Sequence, residues 1–218
     1  ACPWCFIGKR RLEKAAALFD GEIRVEYHSF ELAPDTPVDF EGSEADFLAG
    51  HKGMSRDQVV TALAQVTEIA AAEGLSYDFD ALRHTKTLLA HQALHHAKGK
   101  GLQVELAERL FRAYFEEGLH LGTAAQLAAL GAEVGLDAEE LAQALASGEH
   151  EAAVEEDIAA ARAFGIQGVP FAVIDNRYGV SGAQQPEVFL RALERARADR
   201  AVAADEAVAP STAAGATQ

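Results

Sequence analysis

The sequence predicts an α/β protein in which a long all-helical segment is inserted between two shorter parts that contain strands. Apolar and polar residues alternate over residues 23–28, which is the period of a half-buried strand, and the apolar run from Phe171 to Asp175 indicates another. Between them, amphipathic helix patterns follow one another from residue 55 to 164, each ended near a glycine. Strand patterns on both sides of a helical stretch indicate one fold interrupted by an insertion.

Both cysteines of the chain lie in the stretch Ala1-Cys2-Pro3-Trp4-Cys5, directly before a run of good helix formers that extends to Phe19. Pro3 suits the first position of a helix, where its missing N–H costs nothing. Cys2 then falls at the N-terminal cap, and Cys5 lies one turn inside the helix. The helix dipole and the unpaired N–H groups at the cap would stabilise a thiolate at Cys2, leaving Cys5 to attack a mixed disulfide formed there.

Two interpretations of this cysteine pair follow from its spacing. A disulfide across two residues closes too small a ring to constrain the unfolded chain, so we interpret the pair as redox-active. A lone Cys-x-x-Cys is also half of a zinc site, which the eight His of the chain could complete. His91 and His95, four residues apart on a predicted helix, have a metal-binding spacing as well. Because a second cysteine pair is missing, we predict no metal at the motif and no cofactor, and leave metal binding by His91 and His95 open.

Helix-starting and helix-ending residues mark six helices in the middle of the chain, and strand patterns return after Gly165. The acidic, turn-rich stretch from Asp35 to Gly53 is interpreted as a connection. Beyond the helices, Tyr178 to Ser181 is predicted to pair with the preceding strand as a hairpin, and Pro186 to open a last helix. The six predicted helices begin near Ser55, Thr85, Leu102, Thr123, Asp137 and His150 and end near Gly74, Gly99, Gly118, Gly135, Gly148 and Gly165.

These elements divide the chain into four predicted parts. Residues 1–42 and 165–200 form one α/β unit in two pieces, and residues 43–164 form the inserted helical domain. The remaining residues, 201–218, are rich in alanine and small polar residues and are interpreted as a flexible tail.

The charge balance limits the partners. With 19 basic and 34 acidic residues, the formal net charge is −15, so the surface repels nucleic acid and anionic membranes. No apolar run approaches the roughly 20 residues that a membrane-spanning helix needs. We therefore expect neither a nucleic-acid nor a membrane partner.

Three motifs in order resemble the DsbA-like thiol–disulfide oxidoreductases, and specifically their FrnE-type branch, over residues 1 to about 200. They are the stretch from Cys2 to Arg10, the stretch Phe30-Glu31-Leu32-Ala33-Pro34, and Gly168-Val169-Pro170-Phe171 followed by residues 178–184. The resemblance implies a thioredoxin-like fold with an inserted all-helical domain. It also implies that Pro170 is a cis proline facing the cysteines. The family has a central strand before its motif, so we expect this strand to have been trimmed from the chain.

The resemblance implies a function as well. We expect a disulfide oxidoreductase with Cys2 and Cys5 as catalytic residues, and with Pro3, Trp4, Val169 and Pro170 lining the substrate groove. The expected partners are proteins that carry disulfides or thiols, with glutathione as a second candidate.

Two other functions remain open at this stage. Related 2-hydroxychromene-2-carboxylate isomerases, which depend on glutathione, share the fold and typically carry serine in place of the first cysteine. A peptide-binding or chaperone-like module without catalysis is the other. The FrnE-type resemblance implies the cytoplasm, and the DsbA-like fold in general also serves the periplasm.

The dipeptide between the cysteines predicts the redox character. A strongly oxidising relative of this fold, with a potential of about −120 mV, has a histidine there, whereas Trp4 offers an apolar ring and one N–H donor without charge. We expect a less oxidising couple, and Trp4→His should make it more oxidising by stabilising the Cys2 thiolate. Equilibration with glutathione buffers measures both, and a potential unchanged by the substitution would contradict this prediction.

Overall fold

The structure, a computed structural model, describes residues 1–208, with residues 204–208 as helical backbone alone. In this part of the chain there are nine helices and two strands. In chain order they are α1 (Pro3–Leu18), α2 (Glu44–Lys52), α3 (Arg56–Ala72), α4 (Leu88–Gly99), α5 (Gln103–Phe115), α6 (Ala124–Glu133), α7 (Ala138–Ser147), α8 (Glu151–Ala163), β1 (Phe171–Ile174), β2 (Tyr178–Ser181) and α9 (Pro186–Val208).

The capping residues identified in the sequence start the helices as predicted. Ser55, Thr123 and Asp137 are the N-caps of α3, α6 and α7, and each side chain accepts a hydrogen bond from the backbone N–H three residues later. At the other end of α7, Gly148 takes the left-handed conformation with φ of 69°, which glycine adopts without strain. Local signals therefore set most of the helix boundaries.

Helix α2 lies where the sequence analysis placed only a connection, and that interpretation was wrong. Its N-cap, Ser43, forms a full capping box with Asp46. The helix is held to the rest of the fold by Glu44, which is 6% exposed and accepts a hydrogen bond from His84 Nδ1 at 2.7 Å. The ring of Phe47 stacks on that of His84. These tertiary contacts outweigh the turn-forming glycines and prolines nearby.

The predicted hairpin is present. Strands β1 and β2 pair antiparallel, with Phe171 opposite Ser181 and Ile174 opposite Tyr178. The strand ends one residue earlier than predicted because Asp175 and Asn176 both take positive φ values, 57° and 53°. Asp and Asn are the non-glycine residues that tolerate this conformation best, so they supply the tight turn that a glycine usually provides.

The strand predicted over residues 23–28 does not form, and this is a second correction. The segment has no regular secondary structure, and within residues 1–208 the only sheet is the pair β1 and β2. Its backbone bonds to side chains instead: the amide of Gln103 donates to the Tyr27 carbonyl and accepts from the Tyr27 N–H, both at 2.9 Å. A cavity of about 1010 Å³ separates the segment from β1. Alternation predicted the exposure pattern of a strand, but a strand also needs a neighbouring backbone.

Helix α1 packs between two apolar clusters. Its first half contributes Phe6 and Ile7, both fully buried, to the large core formed by α3 to α7. Its second half contributes Ala15 to a smaller cluster with Val180 of β2 and Phe189 of α9. The helix that carries the cysteines is therefore fixed from both sides.

The last helix continues beyond its predicted end. Helix α9 runs to Val208, eight residues into the stretch interpreted as a flexible tail, which is consistent with the high helix propensity of its alanines. The rest of that predicted tail, residues 209–218, lies outside the described residues. No helix within residues 1–208 is both long enough and apolar enough to cross a bilayer.

Asp157 on α8 anchors the segment that replaces the predicted strand. Its carboxylate accepts hydrogen bonds from the Ser29 N–H at 2.7 Å and from the His28 ring at 2.6 Å, and it lies 3.1 Å from His95 Nε2. Burial alone would raise the pKa of Asp157, but the Ser29 N–H and His28 outweigh it, so the pKa ends below its ordinary value.

Replacing Asp157 with alanine should therefore lower the free energy of unfolding by about 1–3 kcal/mol, because the Ser29 N–H is left without a partner. Since the folded pKa is depressed, this stabilisation is present above the ordinary carboxyl pKa and is lost as the pH falls through the folded value. Urea unfolding at a series of pH values measures the loss of unfolding free energy and its dependence on pH. The exposed neighbour Glu156, replaced with alanine, is the control; an equal loss in both variants, or a difference that does not shrink in acid, would contradict the anchoring role.

Candidate active site

The two cysteines lie at the N-terminus of α1, as the motif predicted. Cys2 is the N-cap with extended backbone angles (φ −99°, ψ 117°), Pro3 is the first helical residue, and the Cys5 N–H donates to the Cys2 carbonyl at 3.1 Å. Both side chains are half-buried and both are free thiols. One helical turn therefore separates a sulfur at the helix terminus from one inside the helix.

This arrangement gives the two thiols opposite acidities. A hydrogen bond from the Cys5 thiol lowers the pKa of Cys2 to about 7; burial opposes the shift, and the backbone N–H groups of Cys5 and Trp4 add to it. The same interaction with Cys2, reinforced by burial, raises the pKa of Cys5 well above its ordinary value. At neutral pH a large share of Cys2 is thiolate while Cys5 stays protonated, which is the division between an attacking and a resolving thiol.

The Val169–Pro170 segment faces Cys2. Cys2 Sγ lies 3.4 Å from the Val169 carbonyl oxygen, to which the neutral thiol donates, and the Val169–Pro170 bond is cis, as the resemblance implied. Gly8 allows this approach, because a Cβ there would lie only 3.3 Å from Pro170 Cγ. The Pro170 carbonyl accepts from the Gly182 N–H at 2.8 Å, which ties the segment to the end of β2.

Two cavities open beside this segment. The smaller, of about 400 Å³, is lined by residues 165–171 together with Ser181 and Gly182. The larger is the one that separates residues 23–28 from β1, and Cys2, Cys5, Val169 and Pro170 all contribute to its wall. Val169 and Pro170 line both cavities, and the cysteines line the larger one.

The structure brings four of the six predicted site residues together and places the other two outside the cavities. Cys2, Cys5, Val169 and Pro170 share one wall. Pro3 opens α1, and Trp4 is 36% exposed on the surface beside the motif. Trp4 is therefore positioned to meet a molecule that lies across the motif and not one inside either cavity.

The two histidines singled out by spacing have different surroundings. His95 Nε2 lies 3.2 Å from Ser29 Oγ and 3.1 Å from Asp157. His91 is half-buried in the wall of the larger cavity, and burial lowers its pKa to about 4. No group of three or more His, Cys, Asp or Glu side chains that could hold a metal ion occurs within the described residues.

Tyr77 is the neighbour of the motif that sequence reasoning missed. It lies between α3 and α4, is 7% exposed, and its hydroxyl donates to the Pro3 carbonyl at 2.6 Å. No local pattern marks it, since the contact joins residues 74 positions apart.

Comparisons with known proteins bear on the family and the fold. The uncharacterized protein YwbO of Bacillus subtilis (strain 168) is 28% identical over 194 residues, which cover 88% of this chain and 90% of that protein. A probable DsbA oxidoreductase from Streptomyces coelicolor is 37% identical, with a TM-score of 0.85 over 92% of this chain and 87% of its own. A 2-hydroxychromene-2-carboxylate isomerase has the same fold at 18% identity, with a TM-score of 0.67 over 93% of each chain.

The family match extends over most of the chain, from residue 1 to residue 194, and takes in the cysteine pair, the helices and the hairpin. The fold is a thioredoxin-like α/β fold that is mostly helical with a small sheet. The chain belongs to the family of DSBA-like thioredoxin domains.

Proposed function

We propose that this protein is a thiol–disulfide oxidoreductase that uses Cys2 and Cys5 as its redox pair. The observation that carries the proposal is the placement of two free thiols one turn apart at a helix N-terminus, which gives them opposed acidities. Exchange needs a thiolate that attacks and a second thiol that stays protonated until the mixed disulfide has formed. Family membership and the 37% identical probable oxidoreductase support the same chemistry.

The reaction in the reducing direction has two steps. The Cys2 thiolate attacks one sulfur of a substrate disulfide, forming a mixed disulfide and releasing the other sulfur as a thiolate that takes up a proton. Cys5 then loses its proton and attacks Cys2 Sγ, which forms the Cys2–Cys5 disulfide and releases the second substrate thiol. Two electrons have passed to the substrate, and the same steps in reverse oxidise a dithiol.

The substrates that we propose are proteins with accessible disulfides or thiols, with glutathione as the thiol that resets the pair. The Val169 carbonyl and Pro170 beside Cys2 offer a backbone surface for an extended segment, and Trp4 with Pro3 forms the other side of the motif. The compartment that we propose is the cytoplasm, on the FrnE-type resemblance.

Cysteine variants test this function. With a small peptide disulfide as substrate and glutathione in excess, wild type should accelerate reduction, and Cys2→Ser should fall to the uncatalysed rate because no sulfur remains at the helix terminus. In a single-turnover reaction without glutathione, which would otherwise resolve it, Cys5→Ser should keep the first step and accumulate the mixed disulfide, which mass spectrometry detects. Glu156→Ala, an exposed substitution on α8 that keeps both sulfurs, is the control.

The rival functions predict different results for the same variants. Activity in Cys2→Ser equal to wild type would contradict the redox role. If isomerisation of 2-hydroxychromene-2-carboxylate persists in Cys2→Ser and requires glutathione, the isomerase assignment replaces ours. Peptide binding that is indifferent to both cysteines, without turnover, identifies a binding module.

The pKa of Cys2 predicts selective alkylation. With a pKa of about 7, about half of Cys2 is thiolate at pH 7, against about one part in a hundred for a thiol at its ordinary value of 9.0. Iodoacetamide should modify Cys2 first, at a rate that rises between pH 6 and 8 and then levels off, while Cys5 stays unmodified. Peptide mapping by mass spectrometry identifies the site. Faster reaction at Cys5, or a rate for Cys2 that still rises steeply above about pH 9, would reverse the assignment.

A further inference from the structure

Tyr77 connects the helical part of the fold to the redox motif through one hydrogen bond. The acceptor, the Pro3 carbonyl, belongs to the first residue of α1 and lies between the two cysteines in the chain. The donor comes from the segment between α3 and α4. Among the described residues, the hydrogen bond of this hydroxyl goes to the Pro3 carbonyl and not to either thiol, so Tyr77 acts on the motif through its backbone.

The tyrosine ring is held rigidly, so the position of its hydroxyl is set by the core. Its ring centroid lies 6.2 Å from that of Phe6 with the planes 21° apart, 4.9 Å from that of Phe115 and 5.6 Å from that of Phe79. The next residue, Asp78, donates its N–H to the Phe115 carbonyl at 2.8 Å, which fixes the backbone beside the ring. The hydrogen bond to Pro3 therefore costs little additional ordering.

The hydroxyl is a permanent donor. Burial raises the pKa of Tyr77, and the nearby charges of Cys2, Cys5 and Glu116 act in the same direction, with Arg10 opposing. The group therefore keeps its proton in both redox states of the pair. A donated hydrogen bond on the Pro3 carbonyl adds positive potential close to Cys2 and strengthens the backbone alignment of the first turn.

We propose that Tyr77 is a positioning residue for the redox pair: its hydroxyl holds the first turn of α1 in the orientation in which the helix terminus stabilises a charged sulfur at Cys2. The inference deepens the proposed function and rests on it for its meaning in catalysis. Through this contact, the packing of the helical segment influences the Cys2 sulfur. Without it, the thiolate of Cys2 is less favoured and the Cys2–Cys5 disulfide becomes a weaker oxidant.

The substitution Tyr77→Phe tests the inference because it removes the hydroxyl and leaves the ring. We expect the Cys2 titration, followed by the ultraviolet absorbance of the thiolate, to move to higher pH. The equilibrium constant with glutathione should change about threefold to tenfold toward the disulfide form, the range expected for one hydrogen bond next to a charge. Urea unfolding checks that the fold is retained.

Tyr114→Phe is the matched control. Tyr114 is also buried and packs on Phe115 with ring centroids 5.0 Å apart, but its hydroxyl makes no hydrogen bond in the structure. The Tyr114→Phe variant should leave both the Cys2 titration and the glutathione equilibrium unchanged. A Tyr77→Phe variant that titrates like wild type, or equal shifts in the two variants, overturns the inference.

The two readouts separate this inference from the proposed function. The Cys2 titration needs no substrate, so an upward shift in Tyr77→Phe supports the positioning role even if wild type shows no disulfide exchange. If wild type catalyses disulfide exchange but Tyr77→Phe changes neither the Cys2 titration nor the glutathione equilibrium, the oxidoreductase function is supported and Tyr77 has no role in it.

Discussion

The placement of one helix terminus controls the rest of this structure. The dipole and unpaired N–H groups of α1 act on a sulfur only within about the first turn, so the terminus must be held in place for Cys2 to differ from an ordinary thiol. Full burial of Phe6 and Ile7 on one side, and the tight contact of Gly8 with Pro170 on the other, provide that restraint. The two apolar clusters packed around α1 therefore fix the position of Cys2 Sγ.

The asymmetry of the pair follows from its spacing along this helix. Two intervening residues place Cys2 at the cap and Cys5 one turn in, so one hydrogen bond between the thiols favours the charged form of the first and disfavours that of the second. A closer spacing could not span a helical turn, since residues one or two apart do not face each other on a helix. The two-residue separation thus gives the two thiols opposite pKa shifts before any substrate is present.

Most features with a local cause were predictable from the sequence, although α2, which has a local capping box at Ser43, was missed; features that depend on a distant partner were not predictable. The caps of α3, α6 and α7, the hairpin and the cysteine pair all depend on neighbours within a few residues. The segment 23–28 alternates like a strand but bonds to Gln103, and no pattern within it reveals that. Tyr77 was missed for the same reason, and Pro170 was found only because the motif resembles a known family.

Ion pairs join the helical segment to α1, the helix that carries the cysteines. Glu108 of α5 pairs with Lys9 at 2.6 Å and with Arg10 at 2.5 Å, and Glu73 after α3 pairs with Arg11 at 2.6 Å. The Arg11 guanidinium also donates to the Ala183 carbonyl, so one side chain joins the helical segment, α1 and the loop after β2. Because Lys9 and Arg11 are buried, solvent screens the ion pairs of these two residues poorly. The helical segment and the loop after β2 are therefore both tied to α1, which carries Cys2 at its N-terminus.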